Sequence, residues 1–293
     1  MSSTEFPRIR ACLFDMDGLL LDTEDRYTIM TNEILQMYGK PSLPWSIKAQ
    51  LQGRPAPESS KIFHEWAHLP ISHEEYSQKQ VELAPKYFTA SKPLPGVVKL
   101  LNDLRSTENT DKPVYIALAT SSHRKNYKLK TDHLADLFAL FPEQRKVLGD
   151  DPRIGQGRGK PLPDIYLLAL ETINDELTER GEELIKPEEC LVFEDAVPGV
   201  EAGRRAGMQV IWAPHPGLLN EYKGREDEVL AGLTGQHKEE EKSEPEKEVQ
   251  SLQAERLTRG QHPGKLGTLK DGWAQILPSL EDFPYERYGI TIT

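Results

Sequence analysis

From residue 97 onward the chain alternates helix-patterned stretches with short β-rich runs, and this alternation narrows its fold more than any other feature. Residues 97–105 have helical spacing and precede the run Val114-Tyr115-Ile116-Ala117-Leu118, which ends in Ala119-Thr120-Ser121-Ser122. A weaker run follows, Phe138-Ala139-Leu140-Phe141, which Lys146-Val147-Leu148 extends or replaces. A helix over 164–177 leads to Cys190-Leu191-Val192-Phe193 and then Glu194-Asp195, and a helix over 199–206 leads to a strand over 208–212. Strands separated by helices pair in parallel, with helices on both faces of the sheet. The expected class is α/β, with a Rossmann-like doubly wound parallel sheet.

One further apolar run stands upstream, Ala11-Cys12-Leu13-Phe14, and it breaks abruptly into Asp15-Met16-Asp17-Gly18. Two carboxylates this close repel each other and are hard to desolvate unless they share a cation or a proton. Asp and Gly also form ordinary surface turns, so this stretch alone leaves both readings open. The partners decide between them. Asp15, Thr120 and the pair Glu194-Asp195 each stand at the C-terminal end of a different expected strand, where open α/β sheets bind ligands.

Between the first strand and Pro93 the pattern is helical throughout. One helix runs from 22 to Gly39, a glycine suited to a C-cap, and others cover 57–69 and 72–88. The rigid sequence Lys92-Pro93-Leu94-Pro95-Gly96 closes this block. The expected organisation is a core of residues 1–22 and 94–293 with an all-helical cap domain over 23–93. The Lys- and Glu-rich stretch 237–248 reads as solvated, part of a flexible insertion over 237–262. Near the end, Trp273, Ile276, Leu277 and Leu280 have helical spacing.

Composition closes off several classes of function. A net charge of −11 argues against nucleic-acid backbones and anionic membranes, which need clustered Lys and Arg. The two cysteines, Cys12 and Cys190, open core strands and imply a reducing compartment rather than a disulfide framework. Residues 1–7 lack the apolar core of a signal peptide, and no apolar run is long enough to span a bilayer. A cytoplasmic or nuclear monomer is expected.

Three other motifs compete for the chemistry. With Asp15 at position one, an EF-hand needs Gly and Glu where Leu20 and Arg26 stand. His64-Glu65-Trp66-Ala67-His68 matches the zinc-peptidase pattern, but Ile71 and Glu74 occupy the places of the extended motif's Gly and third His, and Pro70 ends the helix. Gly155-Gln156-Gly157-Arg158-Gly159-Lys160 departs from a Walker loop at Ile154 and Pro161, yet it still suits the delivery of one lysine to a site.

Taken in order, Asp15, Asp17, Thr120, Lys160, Glu194 and Asp195 resemble the four motifs of the haloacid dehalogenase superfamily of phosphatases. Within it, residues 14–27, 118–122, 147–166 and 192–208 look most like the pseudouridine-5'-phosphatase subgroup, as does Leu280-Glu281-Asp282-Phe283. The resemblance implies a Mg2+-dependent phosphomonoester hydrolase acting on a small phosphorylated metabolite such as pseudouridine 5'-phosphate or a related nucleotide or sugar phosphate. It makes Asp15 the nucleophile that becomes an aspartyl-phosphate, and Asp17 the acid/base, neutral while Asp15 is ionised. It assigns phosphate binding to Thr120, Ser121 and Lys160, and Mg2+ to Asp15, Glu194, Asp195 and the backbone carbonyl of Asp17. From the cap, Arg54, Glu24 and Tyr27 are the expected substrate contacts. The nearest alternative is a phosphosugar mutase resembling β-phosphoglucomutase, although related mutases carry a histidine where Tyr27 stands. A zinc peptidase through His64, Glu65 and His68 is the distant one.

Overall fold

The computed structural model describes residues 6–53, 56–235 and 266–292. Six strands form one all-parallel sheet in the order β3-β2-β1-β4-β5-β6. They are β1 (Ala11–Phe14), β2 (Tyr115–Ala119), β3 (Lys146–Val147), β4 (Cys190–Glu194), β5 (Gln209–Trp212) and β6 (Ala274–Ile276). The strand order reverses between β1 and β4, which pair in register from Ala11 opposite Cys190 to Phe14 opposite Phe193. A doubly wound sheet opens a crevice at the carboxyl ends of the strands flanking such a reversal. Asp15 follows one of these strands, and Glu194-Asp195 ends the other.

Alternate residues of the central strands feed opposite faces, as the twofold repeat of a strand requires. Ala11 and Leu13 pack into an apolar cluster with residues of α8 (Asp164–Arg180) and α9 (Val197–Arg205). Cys12 and Phe14 pack on the other side against α5 (Val97–Ser106). Both cysteines are free and buried, as their positions in strands predicted.

Four helices separate β1 from β2 before α5: α1 (Thr23–Met37), α2 (Trp45–Leu51), α3 (Ala56–Ala67) and α4 (His73–Phe88). Ser72 caps α4 in a reciprocal capping box with Glu75, satisfying two backbone donors at that end. The insertion has its own apolar cluster, in which Ile34 and Leu35 meet Phe63, Ala67 and Tyr76. The remaining helices are α6 (Arg124–Thr131), α7 (Ala135–Phe138), α10 (Pro216–Glu221) and α11 (Glu226–Leu230).

Two sequence expectations fail. Residues 138–141 are the end of α7 and a turn, not a strand, and Lys146-Val147 takes the edge position beside β2. Phe138 and Phe141, three residues apart, point together into the core, which a helical turn permits and a strand does not. The helical spacing at Trp273 to Leu280 belongs instead to β6, paired in parallel with β5. Pro278 could not sit inside that helix, and the outer edge of β5 supplies unpaired groups that residues 273–277 satisfy. Residues 237–262 lie outside the described residues.

Candidate active site

The carboxylates of Asp15, Glu194 and Asp195 come together at the sheet reversal, all buried, with one oxygen of each within 4.8 Å of the others. Among the described residues this is the one group of acidic, His or Cys side chains able to hold a metal ion. Backbone bonds fix the loops that carry it. The Asp15 N–H donates to the Phe193 carbonyl at 3.1 Å, and the Trp212 indole donates to the Asp195 carbonyl at 2.9 Å. Gly18 has φ +78°, and a Cβ there would overlap Asp195 Oδ2, so the loop after β1 can pass this close only as glycine.

Lys160 is buried at 2% exposure and reaches the cluster from the loop before α8. Its ammonium lies 2.5 Å from Asp15 Oδ1 and 2.6 Å from Glu194 Oε1. Arg158 braces that loop with two bonds to the Asp164 carboxylate at 2.6 and 2.7 Å. Glu194 Oε1 also accepts from the Tyr166 hydroxyl at 2.6 Å, and its Oε2 accepts from the N–H groups of Asp195 and Ala196 at 3.0 Å. Burial pushes the Asp15 carboxyl up to about 7 even though Lys160 pulls it down. Asp195 is likewise raised, by burial and then by Glu194.

Three carboxylates against the single ammonium of Lys160 leave two negative charges if all are ionised. Such a deficit in a buried site fits a divalent cation, and an all-oxygen donor set fits a hard one, Mg2+ among them. The residues present therefore suit the ion that the sequence motifs imply.

Asp17 is not part of this cluster. Its Oδ1 lies 2.6 Å from the Lys130 ammonium and its Oδ2 accepts from the Ser122 hydroxyl at 2.6 Å. Burial works against its charge, but Lys130 and the hydrogen bonds outweigh it and hold the carboxyl below its ordinary range. The free site thus favours the ionised form of Asp17, whereas the sequence expectation is a neutral acid there. Lys130 lies on α6 outside every motif recognised in the sequence, and nothing in its Lys-rich surroundings set it apart from a surface charge.

Thr120 is fully buried, and its hydroxyl accepts from the Ser122 N–H at 3.1 Å. Ser121 is exposed, so the side chain of this segment that meets Asp17 is Ser122, a residue the sequence reading passed over. Glu24 packs over Gly18 and pairs with Lys48 at 3.3 Å, while the Tyr27 hydroxyl accepts from Lys130 at 2.9 Å. Both cap residues therefore reach the crevice. Arg54 lies outside the described residues, but Gln52, two positions earlier, donates to Asp195 Oδ2 at 2.5 Å. His64 stacks on His73 with ring centroids 3.8 Å apart, and His68 ends its helix at φ +45°, an arrangement that makes no metal centre of the zinc-peptidase pattern.

The comparisons with known proteins agree with this geometry. A family model for haloacid dehalogenase-like hydrolases matches residues 9–207. A Saccharomyces cerevisiae protein named a probable pseudouridine-5'-phosphatase is 45% identical over 76% of this chain and 90% of its own length. The (DL)-glycerol-3-phosphatase 2 of Arabidopsis thaliana is 35% identical over 75% of this chain and 86% of its own. A crystal structure of a HAD family hydrolase from Deinococcus radiodurans, with bound phosphate and sodium, superposes with a TM-score of 0.53 at 26% identity, covering 72% of this chain and 82% of that one. With the motif residues gathered at the reversal of a six-stranded parallel sheet, the chain belongs to the haloacid dehalogenase-like hydrolases, among their phosphatases.

Proposed function

We propose that this phosphatase is a Mg2+-dependent phosphomonoester hydrolase working through an aspartyl-phosphate on Asp15, with pseudouridine 5'-phosphate or a related nucleotide or sugar phosphate as its substrate. The observation that carries the reading is the Asp15 carboxylate, buried at the end of β1 and held by Lys160 beside Glu194 and Asp195. An Asp15 oxygen attacks phosphorus as the bond to the leaving alcohol breaks, and Asp17 gives its proton to the departing oxygen. Water then attacks the same phosphorus, the bond to Asp15 breaks, and Asp17 takes the water's proton. A phosphate brought beside Asp17 adds like charge and favours the protonated carboxyl that the first step needs. Asp15, Glu194, Asp195 and the Asp17 carbonyl would hold Mg2+, which when bound supplies positive charge against the repulsion between nucleophile and phosphate. Thr120, Ser121 and Lys160 bind the phosphoryl oxygens, and residues 23–93, as a cap, select the alcohol through Glu24, Tyr27 and Arg54.

The substrate assignment is supported by the relative named a probable pseudouridine-5'-phosphatase, while the glycerol-3-phosphatase relative keeps smaller phosphates in the test set. Phosphate release from a panel of phosphorylated nucleosides and sugars, with and without Mg2+, tests it. Asp15→Asn removes the nucleophile and abolishes turnover with the fold intact, and a variant running at the wild-type rate would end the proposal. Glucose 1-phosphate converted to an isomer instead of to free sugar would make the protein a mutase of the same fold.

A further inference from the structure

The Lys130 side chain is fully buried, and burying an ammonium costs several kcal/mol unless its partners compensate. Here every donor has a partner. An ammonium has three N–H donors, and Lys130 spends them on Asp17 Oδ1 at 2.6 Å, the Ser122 hydroxyl at 2.8 Å and the Tyr27 hydroxyl at 2.9 Å. Its charge also lies 4.7 Å from the ring centre of Tyr27 and 4.8 Å from that of Phe88. No donor remains to bind a phosphate, which separates Lys130 from Lys160 in kind.

The surroundings of Lys130 join the core to the helical insertion. Tyr27 belongs to the first helix of the insertion and Phe88 ends its last. Ser91, just beyond, donates its hydroxyl to the Lys130 carbonyl at 2.9 Å, and its own carbonyl meets a ring nitrogen of His133 at 2.8 Å. Both ends of the insertion are thus tied to the residue that grips Asp17.

We propose that Lys130 is a positioning residue for the proton-transfer step, its ammonium clamping the Asp17 carboxylate where it meets the leaving oxygen, without itself touching substrate. The proposal rests on the phosphatase reading and on Asp17 as proton carrier. A misplaced proton donor matters most when the leaving group is a poor one, since an alkoxide needs protonation as it departs and a nitrophenolate does not. The comparison of the two esters therefore isolates Lys130's part.

The experiment measures kcat/KM, which extends through departure of the leaving group, for ribose 5-phosphate and p-nitrophenyl phosphate in the wild type, Lys130→Met and Lys130→Arg. For Lys130→Met the expected loss is on the order of 10²-fold on the sugar phosphate and less than ~10-fold on the nitrophenyl ester, following the usual size of general acid catalysis. Inhibition by inorganic phosphate should stay at its wild-type strength. Lys130→Arg, which keeps the buried charge, should show the same selective loss in smaller measure and serves if the methionine variant fails to fold. An equal loss on both esters, or no loss, overturns the proposal, as does phosphate inhibition weakened in step with turnover, which would make Lys130 a phosphate contact. A wild type that releases phosphate from neither ester nor any member of the panel refutes the phosphatase reading itself, whereas wild-type turnover with unselective variants refutes only the role of Lys130.

Discussion

Lys160 bridges Asp15 and Glu194, the one following β1 and the other ending β4, with contacts of 2.5 and 2.6 Å from a single ammonium. One cation thus spans the reversal of the sheet and offsets part of the charge of three buried acids. Replacing it by methionine keeps the bulk and removes the charge, leaving those acids uncompensated. Breaking a buried pair in this way costs about 3–5 kcal/mol. Lys160→Met should therefore lower the midpoint of chemical unfolding strongly in the presence of EDTA, and Mg2+ should restore part of the loss by supplying charge to the same carboxylates. Turnover should not return with it if Lys160 is the phosphate contact that the proposed mechanism requires. A variant as stable as wild type in EDTA would show that Lys160 does not balance the cluster.

The Asp15 carboxyl should make metal-free protein lose stability as the pH rises through the acid range, against the opposite contribution of carboxyls held low, such as Asp17. The Asp15 carboxyl is pushed up to about 7 by burial, against an unfolded value of 3.8. The folded state therefore binds the extra proton, and its contribution is fully present below about pH 4 and lost as the pH climbs to about 7, amounting to a few kcal/mol at most. Asp195, raised in the same direction, steepens the slope. Bound Mg2+ favours the ionised carboxylates, so the gap in Tm between Mg2+ and EDTA should widen with pH over this window. Asp15→Asn cannot titrate and should flatten the EDTA curve, and parallel curves for variant and wild type would contradict this account.

How far the sequence reaches depends on whether a residue's role is local. The acids and Lys160 were legible because each sits just after an apolar run or a glycine-rich turn, and strand ends share one edge of a parallel sheet. Lys130 was not, because its role comes from contacts with Asp17 and Tyr27, 113 and 103 residues away, while its neighbours on α6 read as an ordinary solvated face. Ser122 and the adjacent Ser121 look alike in the sequence, because one residue of register in a loop decides which hydroxyl turns inward. β6 is hidden for a related reason. Its strand character comes from pairing with β5, not from its own apolar spacing.

Away from the site, Arg145 carries a prediction about stability alone. It is 1% exposed, bonded to Glu176 at 2.6 and 2.7 Å and to Glu108 at 3.0 Å, and it ties α8 to the turn after α5. Arg145→Met leaves Glu176 and Glu108 only their more exposed partners, Arg180 and Arg105, and should cost about 1–3 kcal/mol in chemical unfolding. Its kcat and KM for whichever phosphate proves to be the substrate should remain within about twofold of wild type, at a temperature where the variant is folded. A loss of turnover in fully folded protein would mean that the site feels this network.

Gly18 offers the narrowest test of how the metal cluster is built. Its φ of +78° is strained for any other residue, and a Cβ would press on Asp195 Oδ2 and on Glu24 Cγ. Neither neighbour can yield easily, since Asp195 is held by Gln52 and by its backbone bond from Trp212, and Glu24 by Lys48. Gly18→Ala should then displace the Asp195 carboxylate from Asp15 and Glu194, weakening Mg2+ by at least ~10-fold and costing about 1–3 kcal/mol from backbone strain. Calorimetric titration of the folded variant with Mg2+ reads the first effect without any substrate. Wild-type affinity in Gly18→Ala would mean that the loop after β1 can move without disturbing the three acids, and that their grouping does not depend on this glycine.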